Sequence, residues 1–183
     1  MGVSSSEPAA ALADAAAQGF ATSKIWHHGT DQSFDRFDLA FAGKTDWGFL
    51  GRGVYLTDDA SVARRYGKSV GGFFVRGPIA NTDDAAVSSI RQQAWASAMA
   101  EGKATGLEDH ALVAHTKEQT NQALRNAGYT AFYDGAELIV FDPANIRPTS
   151  TNAPAGSGSA ANASGASAIL RSQQEHLTRL KSS

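Results

Sequence analysis

Three short stretches hold the side chains best suited to chemistry: Trp26-His27-His28-Gly29-Thr30, then Gly51-Arg52-Gly53-Val54-Tyr55-Leu56-Thr57-Asp58, then Glu137-Leu138-Ile139-Val140-Phe141. Cysteine is absent, which removes thiolate nucleophiles, disulfide frameworks and cysteine zinc sites together. The chemistry must use oxygen and nitrogen groups. Glu137 stands out, because a carboxylate at the head of an apolar run is costly unless it is paired or faces a cleft. In a cleft it stabilises positive charge or takes a proton; the plain alternative is a structural salt bridge to Arg147 or another cation. Tyr55 and Tyr66 offer ring faces for offset stacking, although strand tyrosines are commonly core and Tyr66 could equally pack its own helix. His28 ends a short strand, and His27, by the period of two, points to the opposite face and reads as structural or rim.

The elements that must carry these residues are short. Residues 24–28, 54–57, 72–76 and 138–141 are aromatic, β-branched or continuously apolar and read as four strands. Asp58 and Asp59 are placed to cap a helix with Val62, Ala63 and Tyr66 on one face, ending at Gly67. Between residues 83 and 126 the spacing of Val87, Ile90, Ala94 and Ala98 is helical, and Gly102 and Gly106 bracket a break before a second helix from Glu108. This predicts a helical hairpin between two strand regions. An alanine-dense stretch at 8–18 predicts a leading helix stopped by Gly19.

Other motifs fail. Gly51-Arg52-Gly53 has Leu56 where a dinucleotide fingerprint needs its third glycine, and it precedes a strand instead of following one. Gly43-Lys44-Thr45 lacks the first glycine of a phosphate loop, since Asp38 stands there. His110 and His115 miss the one-face spacing of a helical zinc pair. With 183 residues and a formal net charge of −2, the chain fits one domain with tails and lacks the basic footprint of a phosphate-gripping nucleic-acid binder. No apolar run reaches the length of a membrane span, and no secretory signal is visible, so a membrane anchor of that kind and general export are not expected. Gly2 and Ser6 fit the loose myristoylation pattern, which Glu7 and Pro8 weaken; a Ser-rich disordered start is the reading taken.

Taken in order, the three stretches resemble the His-Tyr-Glu ADP-ribosyltransferases of the diphtheria-toxin and poly(ADP-ribose)-polymerase branch, most closely the domains of polyvalent proteins of phages and mobile elements and of bacterial toxins. That family has a His-Gly-Thr/Ser strand end, a Gly-x-Gly-x-Tyr strand and a late Glu opening an apolar strand. The segment 34–39, the helix ending at Tyr66, Gly128-Tyr129 before Asp134-Gly135, and the stretch 142–147 resemble further family elements. The departures are the residues between Tyr129 and Asp134 and the large helical hairpin.

The resemblance implies an α+β fold, a split sandwich of two small antiparallel sheets with surrounding helices, the hairpin at 83–127 being an insert. It implies NAD as a consumed substrate, without a metal, and Glu137, His28 and Tyr55 as catalytic residues. His28, Gly29, Thr30, Gly53, Tyr55 and Tyr66 would bind NAD, with the two tyrosines around the nicotinamide ring. Cleaving the nicotinamide bond builds charge on an oxocarbenium-like ribose, which Glu137 would stabilise while bonding the 2'-hydroxyl. His28 would fix the ribose as a donor, and Gly29, lacking a Cβ, would leave room for the nicotinamide amide. The implied product is a macromolecule, protein or nucleic acid, carrying one ADP-ribose, with nicotinamide released. The implied setting is a bacterial or phage toxin or effector, cytoplasmic or delivered into a target cell's cytoplasm, with room for a partner or immunity protein. An NAD glycohydrolase is the nearest rival, and a catalytically silent binding module of the same fold is the rival of another class.

The domain layout that follows is a Ser/Ala-rich segment with a short helix at 1–22, a catalytic domain at 23–150, a flexible linker at 151–168 and an amphipathic helix at 169–183. Leu170, Gln173, Leu177 and Leu180 share the apolar side of that last helix.

Overall fold

The computed structural model describes residues 6–31, 37–39 and 50–149. These form α1 (Ser6–Ala17), β1 (Phe20–Thr30), β2 (Val54–Thr57), α2 (Ala60–Ala63), β3 (Ser69–Arg76), β4 (Ile79–Asn81), α3 (Ala85–Ala104), α4 (Asp109–Asn126), β5 (Ala131–Tyr133), β6 (Glu137–Val140) and β7 (Ile146–Pro148), with one 3₁₀ turn at Pro143–Asn145. The fold is α+β. The expected linker and C-terminal helix lie outside the described residues, as do the segments 32–36 and 40–49.

The described strands make one hydrogen-bonded sheet in the order β4-β5-β6-β2-β1-β3-β7, where two separate sheets were expected. The two halves are nonetheless visible. β1 and β3 pair over long stretches, as do β2 and β6 along their whole length, but β1 meets β2 at a single register pair, His27 with Thr57. The sheet is thus two antiparallel blocks joined along a short seam. β1 also bulges: Ala21 pairs with Val75 and Trp26 with Phe73, so the extra residues between them bend the strand.

Alternation along the strands sets two faces. Trp26, Val54, Leu56, Phe73, Val75, Leu138 and Val140 share one apolar cluster, with Phe37 and Leu39 packed against it. On the opposite face Leu50, Ile139, Phe132 and Phe141 join Val87 of α3 and Leu124 of α4, with Tyr55 beside them. Helix α1 closes the outer block through Ala15 on Phe20 and Phe74, and its Asp14 pairs with Arg147 of β7 at 2.7 Å.

The helical hairpin has a topological cause. β4 and β5 are adjacent and parallel, and parallel neighbours need a crossover, which α3 and α4 supply. Asp84 caps α3 by accepting from the amides of Ala86 and Val87. Gly106, at φ +78°, makes the break between the helices. Gly102 does not, contrary to expectation: it lies inside α3, where a Cβ would stand 2.5 Å from Leu112 Cδ1 of α4, so its role is close helix contact. Leu124 is fully buried where α4 meets the sheet. Leu124→Ala should therefore cost about 2–5 kcal/mol of the whole domain's stability, read as one cooperative urea transition at a lower midpoint. A separate early transition for the hairpin would show instead that it is an independent appendage.

Candidate active site

His28 sits at the seam. Its Nδ1 lies 2.9 Å from the carbonyl oxygen of Tyr55 on β2. A carbonyl only accepts, so Nδ1 carries the proton and Nε2 is the acceptor nitrogen of the ring. Burial lowers the His28 pKa below the ordinary imidazole value, against the opposing pull of the Tyr55 bond, which keeps the ring neutral near pH 7. The side chain shares the face of Trp26 and meets Phe37 edge-on, ring centroids 5.0 Å apart. By contacting the Tyr55 carbonyl two residues beyond the single His27–Thr57 pair, the imidazole stands between β1 and β2 where their ladder would continue.

Tyr55 points to the opposite face, and its hydroxyl is engaged. It donates to the Gly51 carbonyl at 2.7 Å and accepts from the Leu50 amide at 2.9 Å. Gly51 adopts φ +101°, the left-handed region that a tight turn reserves for glycine. Gly53 has a packing reason: a Cβ there would stand 2.4 Å from Ile139 Cγ1.

Glu137 opens β6 and lies in a row with His27 and Thr57 across three strands, on the Tyr55 face. Its Oε1 accepts a 2.8 Å hydrogen bond from the Tyr66 hydroxyl. Tyr66 reaches it because the turn after α2 is pressed onto the end of β1. A Cβ on Gly29 would meet the Ala63 carbonyl oxygen at 1.7 Å, and one on Gly67 would meet Thr30 backbone at 2.1 Å. The Cβ side of Gly29, expected to open onto a ligand, is thus filled by α2. Asp134 forms the turn before Glu137, with its Oδ1 accepting from the amides of Ala136 and Glu137, and Gly135 takes φ +99°. Arg147 is committed to Asp14, and among the described residues no ion pair includes Glu137. The Arg147 salt bridge weighed from the sequence is thus not formed.

The structure therefore joins His28 to Tyr55 and Tyr66 to Glu137. It places His28 on one face of the seam and Tyr55, Tyr66 and Glu137 on the other. A family model described as the ADP-ribosyltransferase in polyvalent proteins matches residues 21–155, more than half of the chain. The chain belongs to that family. No curated protein and no solved structure matches it.

In this ADP-ribosyltransferase domain the electrostatics of Glu137 follow from its place. Burial raises its pKa above the ordinary carboxylate value, the Tyr66 bond works to lower it, and the charge of Asp134 raises it further. The turn that carries it is pinned from outside: Tyr133 donates to Asp58 at 2.9 Å, and burial first, then Asp58, pushes the Tyr133 hydroxyl up to about 12. Lys24 holds the same Asp58 at 3.0 Å and lies over the Trp26 ring. Among the described residues no group of three or more His, Asp or Glu side chains is arranged to hold a metal, and no helix is long and apolar enough to cross a membrane.

Sequence reasoning missed Asn121, a buried side chain of α4 whose Nδ2 donates to the Leu50 carbonyl at 2.7 Å. A polar residue inside a helical repeat carries no local signal of such a role. It also missed Asp134 as the residue that aims Glu137, although Asp134-Gly135 reads as a turn.

A titration follows from the raised pKa. Protonated Glu137 favours the folded state, so the stability linked to it is full below the ordinary carboxylate range and is lost as pH rises through its folded pKa. Glu137→Gln cannot ionise and should gain on the unaltered protein across that rise. Urea midpoints at a series of pH values from 4 upward, on the order of one unit apart, check this. A variant that falls behind as pH rises would mean a paired, stabilising carboxylate.

Proposed function

We propose that the chain is a mono-ADP-ribosyltransferase that cleaves NAD, releases nicotinamide and attaches ADP-ribose to a macromolecular acceptor. The observation that carries this reading is the Tyr66–Glu137 hydrogen bond, 2.8 Å, on the face that holds Tyr55 and beside the seam held by His28. A partly buried carboxylate with a phenol donor and, among the described residues, no cationic partner is an arrangement for meeting positive charge, and ribose C1' supplies that charge as nicotinamide leaves.

In this mechanism the bond between C1' and the nicotinamide nitrogen breaks, and its electron pair leaves with nicotinamide. An oxygen or nitrogen of the acceptor forms the new bond to C1' and gives up its proton to solvent, with the Glu137 carboxylate as the base that assists its removal. Glu137 accepts from the ribose 2'-hydroxyl and stabilises the oxocarbenium-like centre. Tyr66 keeps one carboxylate oxygen in place, and the rings of Tyr55 and Tyr66 take the nicotinamide. His28 acts as an acceptor for a ribose hydroxyl through Nε2, the reverse of the donor role expected from sequence, because Nδ1 already donates to Tyr55. Gly29 and Thr30 contribute through backbone at the strand end; Gly53 acts indirectly, by letting β2 lie against Ile139. A toxin or effector setting, within the cytoplasm or delivered to it, suits such a reaction, because modifying a macromolecule disables it.

Incubation with NAD labelled in the adenylate part, together with a lysate, should yield a labelled macromolecule, and protease and nuclease digestion identifies its class. Free ADP-ribose alone would assign a glycohydrolase instead, and binding without turnover a silent module. Glu137→Gln should lower kcat by on the order of 10²–10³ while NAD affinity changes far less. Retained activity would remove Glu137 from the mechanism. Tyr55→Ala should weaken NAD binding more than Tyr55→Phe, which keeps the ring and loses about 0.5–1.5 kcal/mol of stability for each hydrogen bond to the Leu50–Gly51 turn. Equal losses of affinity would move the role from the ring face to the hydroxyl.

A further inference from the structure

Beside its apolar contacts, the helical hairpin reaches the turn next to Tyr55 through a buried amide. Asn121, in the middle of α4, is 3% exposed, and its Nδ2 donates to the Leu50 carbonyl at 2.7 Å. The next residue, Gly51, is held so close that an added Cβ would stand 2.7 Å from the same Nδ2. Leu50 and Gly51 are also the partners of the Tyr55 hydroxyl, at 2.9 Å and 2.7 Å. A phenol oxygen donates and accepts close to its ring plane, so two partners on a fixed turn set the plane of the ring as well as the position of its far end. The chain of contacts runs from α4 to the turn and from the turn to the ring.

We propose that Asn121 is a positioning residue for Tyr55, so that the helical hairpin is a working part of the NAD site and not only a crossover between parallel strands. The inference rests on the reading of Tyr55 as a nicotinamide-stacking ring. Asn121→Asp keeps the volume but cannot donate as a carboxylate, and Asn121→Leu removes the polar group altogether. Either leaves the buried Leu50 carbonyl without its donor and frees the turn.

The experiment uses the full chain. In both variants KM for NAD should rise on the order of tenfold, the lower range of what an unsatisfied buried acceptor costs, with kcat held within about threefold. Combined with Tyr55→Phe, the effect on KM should be less than additive, because both changes cut the same relay. The control is Leu112→Ala in the α3–α4 contact, which should lower the melting temperature without moving KM. A fall in melting temperature alone for the Asn121 variants, or full additivity with Tyr55→Phe, overturns the proposal. NMR of the Tyr55 ring without NAD separates this outcome from failure of the function. If the unaltered chain neither binds nor consumes NAD, the proposed reaction falls. A Tyr55 ring signal displaced in Asn121→Asp would still support the positioning role, and an unmoved one would overturn it.

Discussion

The hydrogen bond from the His28 imidazole to the Tyr55 carbonyl is the contact on which the arrangement turns. An antiparallel pair that met at His27 and Thr57 would ordinarily continue, and the backbone groups beyond would satisfy each other. Here a side chain takes the Tyr55 carbonyl instead, so the two blocks stay joined at that point without their backbones closing up. The same bond fixes the tautomer of His28 and carries the ring's polar edge into a buried position at no cost in unmet hydrogen bonds. A ring in this position holds the seam through one side-chain bond; on the proposed reading the same group would also serve recognition.

The other constraint is electrostatic. Glu137 heads a strand whose next three residues are fully buried, and its environment lifts its pKa. A phenol donor and an Asx turn orient it, yet neither neutralises it. Such a group costs stability in its ionised form and is compensated elsewhere, by the apolar layers on both sides of β6. On the proposed function, the countercharge that the described residues do not supply is transient and belongs to a reacting molecule.

Much of this was legible in the sequence, and the reasons are local. The strands carrying His28, Tyr55 and Glu137 were readable because apolar and β-branched residues bounded by turn residues mark them, and the helix before Tyr66 because Asp59 caps it. The three-residue strands β4, β5 and β7 were not, since so few residues cannot show a period of two. Missing β4 and β5 hid why the hairpin exists, for the crossover is implied only once two parallel neighbours are known. Asn121 and Asp134 were missed as site residues for a different reason: their importance lies in which carbonyl or amide they meet, and that is decided by chain segments 71 and 3 residues away that sequence does not bring together on its own. The His28–Tyr55 hydrogen bond was not legible either, because no pattern reveals that a backbone carbonyl faces the ring.

The glycines of the motif sharpen the distinction between an enzyme and a module that merely has the fold. Gly29, Gly53 and Gly67 each stand where a Cβ would run into backbone or a core side chain, so packing alone requires them. They would be needed in an inert relative as much as in an active one, and they say nothing about turnover. Tyr66 and Glu137 differ. A leucine or glutamine would fill the place of Glu137 without the charge that burial makes costly, and a phenylalanine would cover the same surface as Tyr66 without a hydroxyl to satisfy. Packing supplies no reason for a carboxylate and a phenol to face each other beside an opened seam. Chemistry at a positively charged carbon does, and that is why the weight of the functional reading rests on this pair and not on the glycine pattern that makes the family recognisable.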